Sequence, residues 1–123
     1  MSDTRYTFTD GEGEHRIFKL AVEEITFCFD FGPRLGVGKT LASGEGVTIT
    51  CVDETTPDLA ASEVDINGTT FTDESDPDRT VVASEGVLAK LSGGTEGYYY
   101  DAVVFATDSD GDVKAGRVRV DVI

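Results

Sequence analysis

Several residue types are scarce in this chain of 123 residues, and each scarcity excludes a class of protein. The chain contains no tryptophan, one histidine and two cysteines. A metal site built from histidine and cysteine ligands needs more of both than the chain has. No apolar run approaches the roughly 20 residues that cross a bilayer, and the polar N-terminus lacks the apolar core of a secretory signal. We therefore expect no membrane partner and no export by a signal peptide.

Basic residues are scarce as well, because 10 lysines and arginines stand against 24 acidic residues, a formal net charge of −14. A field of that sign repels phosphate backbones, so we expect no nucleic-acid partner. The acidic excess favours solubility and resists non-specific association. It fits a well-solvated surface, a basic partner surface or a salty medium, and the composition does not separate these three.

The two cysteines, Cys28 and Cys51, are predicted to be free thiols. Four apolar side chains share one face of the predicted strand around Cys28: Ile25, Phe27, Phe29 and Phe31. Cys28 therefore lies on the opposite face of that strand. Cys51 shares a face with Val47 and Ile49, which places it toward the core. A disulfide needs converging Cβ vectors, and one outward and one inward cysteine do not supply them.

The last third of the chain has the clearest strand pattern. Val87, Ala89 and Leu91 alternate and share one face, as a half-buried strand requires. The segments that follow alternate between glycine-rich or acidic turns and β-rich strands: 92–97, 98–107, 108–112 and 113–123. With weaker strands upstream, the count is about seven to eight. We predict an all-β fold, an Ig-like antiparallel β-sandwich with an N-terminal arm or hairpin.

The middle of the chain predicts strands separated by irregular connections. Residues 47–53 form a predicted strand, and the five glycines and one proline of residues 32–46 predict a loop before it. The dipeptide Asn67-Gly68 is favoured in two-residue turns, so we expect a hairpin between residues 63–66 and 69–72. The acidic residues of 73–78 are expected to form a solvated loop.

The first 22 residues have a different pattern from the rest. We divide the chain into an N-terminal arm or hairpin, residues 1–22, and an Ig-like β-sandwich, residues 23–123. The first segment is either a hairpin laid across the domain or an arm that docks on a neighbouring subunit. Its candidate interface residues are Tyr6, Phe8, Arg16 and Phe18.

Two motifs resemble ligand sites. Residues 32–40, GPRLGVGKT, resemble a phosphate-binding loop, but Pro33 stands where its first glycine is required and no helix follows. Asp108, Asp110 and Asp112 resemble the start of a calcium loop, which makes them weak candidates for a metal site. The twelfth position of that loop needs a bidentate glutamate and is Arg119 here, so a turn between strands is favoured.

No pattern of catalytic residues stands out. His15, the single histidine, lies in the polar N-terminal segment with no serine or cysteine nucleophile beside it. Carboxylates are abundant, but nothing distinguishes two of them as an acid–base pair. We expect a protein that is not an enzyme and has no cofactor.

Three consecutive tyrosines, residues 98–100, begin the strand after the glycine-rich turn. Tyr100 shares a face with Ala102 and Val104, and Tyr99 lies on the other face. We expect one tyrosine to pack inward with its hydroxyl bonded to backbone, as in a tyrosine corner. Another is expected to be exposed, where tyrosines often serve interfaces.

The order of these features resembles the small Ig-like virion proteins of tailed bacteriophages. The most specific shared motif is the junction L-S-G-G-T-x-G at residues 91–97, followed by Tyr100. The remaining matches are more general: Phe29-Asp30-Phe31, Gly38-Lys39-Thr40-Leu41, Val47-Thr48-Ile49, Thr107-Asp108-Ser109-Asp110-Gly111 and Arg117-Val118-Arg119-Val120. The resemblance covers residues 24–123. Phe31 stands where that family often has tryptophan, and the N-terminal segment is not part of its pattern.

The resemblance implies a non-enzymatic structural component of a bacteriophage virion, assembled in the host cytoplasm. The leading expectation is a capsid decoration or cement protein that binds the major capsid protein. A tail- or neck-associated protein is the close variant, and homo-oligomer formation stays open. A module that binds a host-surface glycan or receptor through exposed loops is the alternative from another class.

Overall fold

The structure, a computed structural model, describes residues 4–11, 15–73 and 78–123, except for the side chains of residues 4 and 5. Ten strands run through these ranges: β1 (Thr4–Thr9), β2 (Arg16–Lys19), β3 (Ile25–Asp30), β4 (Leu41–Thr50), β5 (Leu59–Ile66), β6 (Phe71–Thr72), β7 (Thr80–Val81), β8 (Gly86–Gly93), β9 (Tyr99–Asp108) and β10 (Val113–Val122). A single 3₁₀ turn, Gly32–Arg34, is the helical element of the described ranges. The prediction of an all-β fold is confirmed.

Two four-stranded sheets form the body of the domain. The first sheet has the order β1-β3-β8-β5 and the second has the order β2-β10-β9-β4. With β1, β3, β4, β5, β8, β9 and β10 lettered A to G, these are the ABED and CFG sheets of an immunoglobulin-type sandwich. β2 adds one further strand beside β10, and β6 pairs with β7 in a separate short hairpin.

The N-terminal strands pair in parallel, which differs from the antiparallel arrangement that we predicted. β1 lies parallel to β3, and β2 lies parallel to β10. β1 lies at the edge of one sheet, and β2 lies at the edge of the other. The predicted hairpin of residues 1–22 therefore provides an edge strand to each sheet. Residues 12–14, between these two strands, lie outside the described residues.

The core lies between the inner faces of the two sheets and contains the apolar faces that the sequence predicts. Its fully buried side chains include Ile25, Phe27, Phe29 and Phe31 from one segment and Val87, Ala89 and Leu91 from another. Each large apolar side chain buried in this way contributes about 1.5–3 kcal/mol of stability. Burial of these alternating residues fixes which face of each strand points inward.

A smaller apolar cluster lies on the outer face of the first sheet. It contains Cys28, Phe71 and Val81, with Leu88 packed against it. The β6–β7 hairpin provides Phe71 and Val81, so this hairpin covers the outer face of β3 and β8. Both cysteines are free, as predicted. Cys28 lies on the predicted face, but the hairpin buries it.

The prediction of a hairpin at Asn67-Gly68 is wrong. β5, which ends just before it, pairs with β8 rather than with β6. The reason is the Asn67 side chain, which is buried and acts as a bridge. Its Nδ2 donates to the carbonyls of Thr69, Val81 and Val82, and its Oδ1 accepts the Gly86 N–H at 2.9 Å. A turn propensity gives no indication of these distant partners.

The second correction concerns the glycine-rich loop, since β4 begins at Leu41 and not at residue 47. Its pairing with β9 shifts register twice, between Leu41 and Ser43 and between Ser43 and Gly46. A Cβ at position 46 would lie 2.4 Å from Cζ of Phe105, so glycine lets this ring cover the strand. The glycines therefore mark bulges and a close approach within a strand.

Candidate interaction surface

A tyrosine corner holds the start of β9 in place. Tyr100 is fully buried, and its hydroxyl accepts the Thr95 N–H at 2.9 Å and donates to Glu54 Oε1. Thr95 Oγ1 donates to the other oxygen of Glu54 at 2.7 Å. The hydrogen bond from Tyr100 lowers the pKa of Glu54, whereas burial and this carboxylate raise the pKa of Tyr100. The prediction of one inward tyrosine bonded to backbone is confirmed.

Lys19 anchors the end of β2. Its side chain is buried, and its Nζ donates to the carbonyls of Leu20 at 2.8 Å and Gly93 at 2.5 Å. Burial lowers the pKa of Lys19, and the Glu23 carboxylate partly opposes that effect. These bonds tie the second sheet's edge strand to the end of β8.

With its edge strand fixed, the second sheet presents a row of charged and aromatic side chains on its outer face. We call this row the arginine–aromatic face; its residues are Arg16, Phe18, Tyr99, Arg119 and Asp121. Strand register places Asp121 opposite both Phe18 and Tyr99, and Arg119 opposite Arg16. The five side chains are therefore neighbours across β2, β10 and β9.

The arginines of this face are each held between a ring and a shared carboxylate. Arg16 Cζ lies 4.8 Å from the Phe18 ring centroid, and Arg119 Cζ lies 4.1 Å from that of Tyr99. Arg16 Nε donates to Asp121 Oδ2 at 2.7 Å, and Arg119 Nη2 donates to Oδ1 at 3.2 Å. Burial raises the pKa of Asp121, but the two arginines outweigh it and the net pKa is lowered. Asp121 thus stays ionised at neutral pH.

Both rings are partly open to solvent, since Phe18 is 54% exposed and Tyr99 is 37% exposed. More exposed apolar side chains lie in the turn after β2 and at the end of β10: Leu20, Val22 and Ile123. The Ile123 N–H donates to the Lys19 carbonyl at 2.8 Å, which holds the chain end beside β2. Apolar surface therefore continues past the edge of the face.

A shallow groove of about 290 Å³ adjoins the face further along β9 and β10. Its lining residues are Val103, Ala115, Gly116 and Arg117. Val103 pairs with Arg117, two register steps from the pair Asp101–Arg119 and on the same face of the sheet. An apolar floor beside an exposed guanidinium can bind a small apolar side chain next to a carboxylate.

The four residues predicted as an interface fall into two pairs. Tyr6 and Phe8 pack against the core, and Phe8 meets the rings of Phe27 and His15 at centroid distances of 6.1 and 5.6 Å. Arg16 and Phe18 are exposed on the arginine–aromatic face. The structure brings the second pair together with Tyr99, Arg119 and Asp121.

The three aspartates predicted as a weak metal site form a turn. Asp108 Oδ1 accepts the N–H groups of Asp110 and Asp112, both at 2.9 Å, and Lys114 Nζ lies 3.6 Å from Oδ2. The Asp112 N–H is the main cause of the lowered pKa of Asp108. Lys39 Nζ donates to Asp110 at 2.9 Å. Within the described ranges, no cluster of three potential ligands could hold a metal ion.

The predicted acidic loop of residues 73–78 is only partly described, because residues 74–77 lie outside the described residues. Asp73 is buried, and its Oδ2 accepts the Thr7 N–H at 2.9 Å. This contact links the end of β6 to β1.

Two residues of the face, Arg16 and Phe18, are also among the four candidate interface residues predicted from the sequence. The alternation of Arg117, Arg119 and Asp121 along the final strand indicates a charged face. The alternation does not reveal that β2 pairs beside β10, because that pairing brings together residues about 100 positions apart, as with Arg16 and Asp121. Only the pairing places Phe18 next to Asp121.

The fold is an all-β, Ig-like sandwich, and in the part of the chain that the structure describes one of its outer faces stays partly exposed. No family model matches the sequence, and no curated protein matches it. Among solved structures, the solution structure of amebosin covers 97% of this chain and 98% of its own length, at 12% identity and a TM-score of 0.41. No helix in the described ranges is long and apolar enough to cross a membrane.

Proposed function

We propose that this chain is a non-enzymatic structural protein of a bacteriophage virion. In this proposal it decorates the capsid and binds the major capsid protein through the arginine–aromatic face. The main observation behind this proposal is that Phe18 and Tyr99 are partly exposed, and that Arg16 and Arg119 stack on their rings. Aromatic residues and arginine are the types that contribute most to protein–protein binding.

Preorganisation supports the proposal as well. Each arginine on the face already lies against a ring and bonds to Asp121, so it loses little side-chain freedom on binding. The motif that carries the bacteriophage resemblance, residues 91–97, adjoins Tyr100 and provides the carbonyl of Gly93 that accepts the Lys19 bond. Residues 91–97 therefore help to hold β2, the strand that contains Phe18.

Co-sedimentation with particles of the phage that encodes this chain tests the proposal. The labelled full chain is mixed with particles that lack it, and bound chain is measured against concentration. We expect the double variant Phe18→Ala/Tyr99→Ala to bind at least about thirtyfold more weakly, the effect of removing an interface hot spot. The matched control is Val82→Ala, because Val82 is 57% exposed and lies beside the β6–β7 hairpin instead.

The outcomes of this binding experiment test both the virion role and the proposed face. Wild-type chain that does not bind particles contradicts the virion role, and a double variant that binds like wild type contradicts the proposed face. Electron cryomicroscopy of bound particles then separates a capsid position from the tail or neck position. Binding to a glycan array by chain that ignores particles would favour the host-surface alternative.

A further inference from the structure

The outer face of the second sheet differs in charge from the protein as a whole. The chain has a formal net charge of −14. The outward positions of β2, β9 and β10 around the arginine–aromatic face hold three arginines and two aspartates: Arg16, Arg117, Arg119, Asp101 and Asp121. Cations therefore outnumber anions on this described part of the surface, in a molecule where anions outnumber cations more than twofold.

The geometry of the arginines suits a carboxylate. Arg119 directs Nε and Nη2 at one oxygen of Asp121, and its side chain is 36% exposed. A planar guanidinium stacked on a ring keeps donors along its edge, and guanidinium matches a carboxylate better than any other side chain does. The exposed rings of Phe18 and Tyr99 and the groove floor at Val103 and Ala115 offer apolar surface beside these donors.

We propose that the arginine–aromatic face docks an acidic strip of a protein partner, in which carboxylates alternate with apolar side chains. The proposal deepens the proposed function, because it rests on the same face and names the chemistry that the partner presents there. Carboxylates of the strip pair with Arg119 and Arg117, and its apolar side chains contact Phe18, Tyr99 and the groove. A basic partner would instead bind the acidic remainder of the surface.

The opposed charges of the face and the whole chain give this docking an unusual salt dependence. The charge of −14 repels an acidic partner at long range, whereas the arginines attract it at contact. The Debye length is about 30 Å at 0.01 M salt, about 10 Å at 0.1 M and about 3 Å at 1 M. Salt therefore first removes the long-range repulsion and then weakens the contact pairs. We expect the affinity for the acidic partner to be highest at about 0.1–0.2 M salt.

The test uses the full chain labelled with ¹⁵N and two capped peptides. One peptide has the sequence Ser-Glu-Leu-Glu-Leu-Glu-Ser, and the other has lysine in place of each glutamate. We expect the acidic peptide to shift the amide signals of Arg16, Tyr99 and Arg119, with an affinity maximum at intermediate salt. Arg119→Gln is expected to weaken its binding about tenfold or more, the loss of one charge-assisted contact. Lys39→Gln changes the net charge equally, far from the face, and should leave binding unchanged.

The outcomes separate this inference from the proposed function. Peptide binding with the expected salt maximum and loss in Arg119→Gln supports the acidic partner even if particles do not bind. Particle binding that depends on Phe18 and Tyr99, together with an acidic peptide that shifts nothing or binds Arg119→Gln equally well, overturns the inference but keeps the virion role. A lysine peptide that shifts the same amides also overturns it.

Discussion

The outer faces of the two sheets use different chemistry, although both sheets pack on the same core. The first sheet is covered, because the β6–β7 hairpin places Phe71 and Val81 over Cys28 and buries all three. Within the described residues, the outer face of the second sheet has no such cover, and it carries arginines, aspartates and partly exposed rings. One outer face thus adds a second small core, and the other stays in contact with solvent.

The difference separates residues that stabilise the domain from residues that are available for binding. Burial of a large apolar side chain is worth about 1.5–3 kcal/mol, whereas an exposed ion pair is worth about 0–1 kcal/mol. The covered face therefore contributes to folding. The arginine–aromatic face contributes little to folding, which is consistent with the binding role proposed for it.

The largest expected effect comes from uncovering the first sheet. Phe71 is fully buried in the small cluster, so Phe71→Ala should lower the free energy of unfolding by about 3 kcal/mol. The same change opens the outer face of β3, and Cys28 should then react with a thiol reagent in a Cys51→Ser background. Chemical unfolding and the labelling rate measure the two effects. Particle binding should persist under conditions where the variant is folded.

The comparison breaks down if Phe71→Ala leaves both stability and Cys28 labelling unchanged. That result would mean that the β6–β7 hairpin does not cover the first sheet in solution. Phe18→Ala is the contrasting variant from the arginine–aromatic face. It should alter the free energy of unfolding by no more than about 0.5 kcal/mol, as for most exposed positions.

A middle effect is expected at the tyrosine corner, which supports the second sheet from inside. Tyr100→Phe removes the hydroxyl that joins the Thr95 N–H to Glu54, and should cost about 1–3 kcal/mol because these partly buried partners lose a hydrogen bond. The pKa of Glu54 should rise toward its ordinary value, since the Tyr100 bond is the main cause of its lowering. Carbon-detected NMR titration measures that pKa. An unchanged Glu54 titration would show that the hydrogen bond is not formed.

The smallest effect is expected from the ion pairs of the second sheet. Asp121→Asn should cost about 1 kcal/mol at neutral pH, because its arginine partners are partly exposed. The folded state lowers the pKa of Asp121, so its stabilising contribution is present above the ordinary aspartate pKa of about 4 and is lost as pH falls through the lower, folded value. The stability difference between wild type and variant should therefore vanish in acid. A difference that grows as the pH falls would contradict the assignment.

Strand patterns with strong alternation were predictable, and side chains with distant partners were not. The faces of Phe27–Phe29–Phe31 and Tyr100–Ala102–Val104 follow from a period of two residues. Asn67-Gly68 misled because turn propensity is local, whereas the Asn67 amide is bonded to residues up to 19 positions away. The start of β4 was missed because the residues that let glycines sit in a strand, such as Phe105 over Gly46, lie on another strand.

The candidate site divides in the same way. The sequence predicted four candidate interface residues, Tyr6, Phe8, Arg16 and Phe18, and the first two pack against the core. It also placed Tyr99 and Tyr100 on opposite faces. It did not place Arg16 beside Asp121, because that contact depends on β2 joining β10 at the edge of the second sheet.

By itself, the sequence determined that the chain is all-β, that its thiols are free and which residues of the strongest strands face inward. These properties depend on composition and on the alternation of neighbouring residues, which a linear reading contains. The tertiary structure alone decided that one sheet is covered, that the N-terminal strands join different sheets, and that two arginines share Asp121 between exposed rings. Those features depend on contacts between residues far apart in the chain, and their free energy exists only after the sheets have formed.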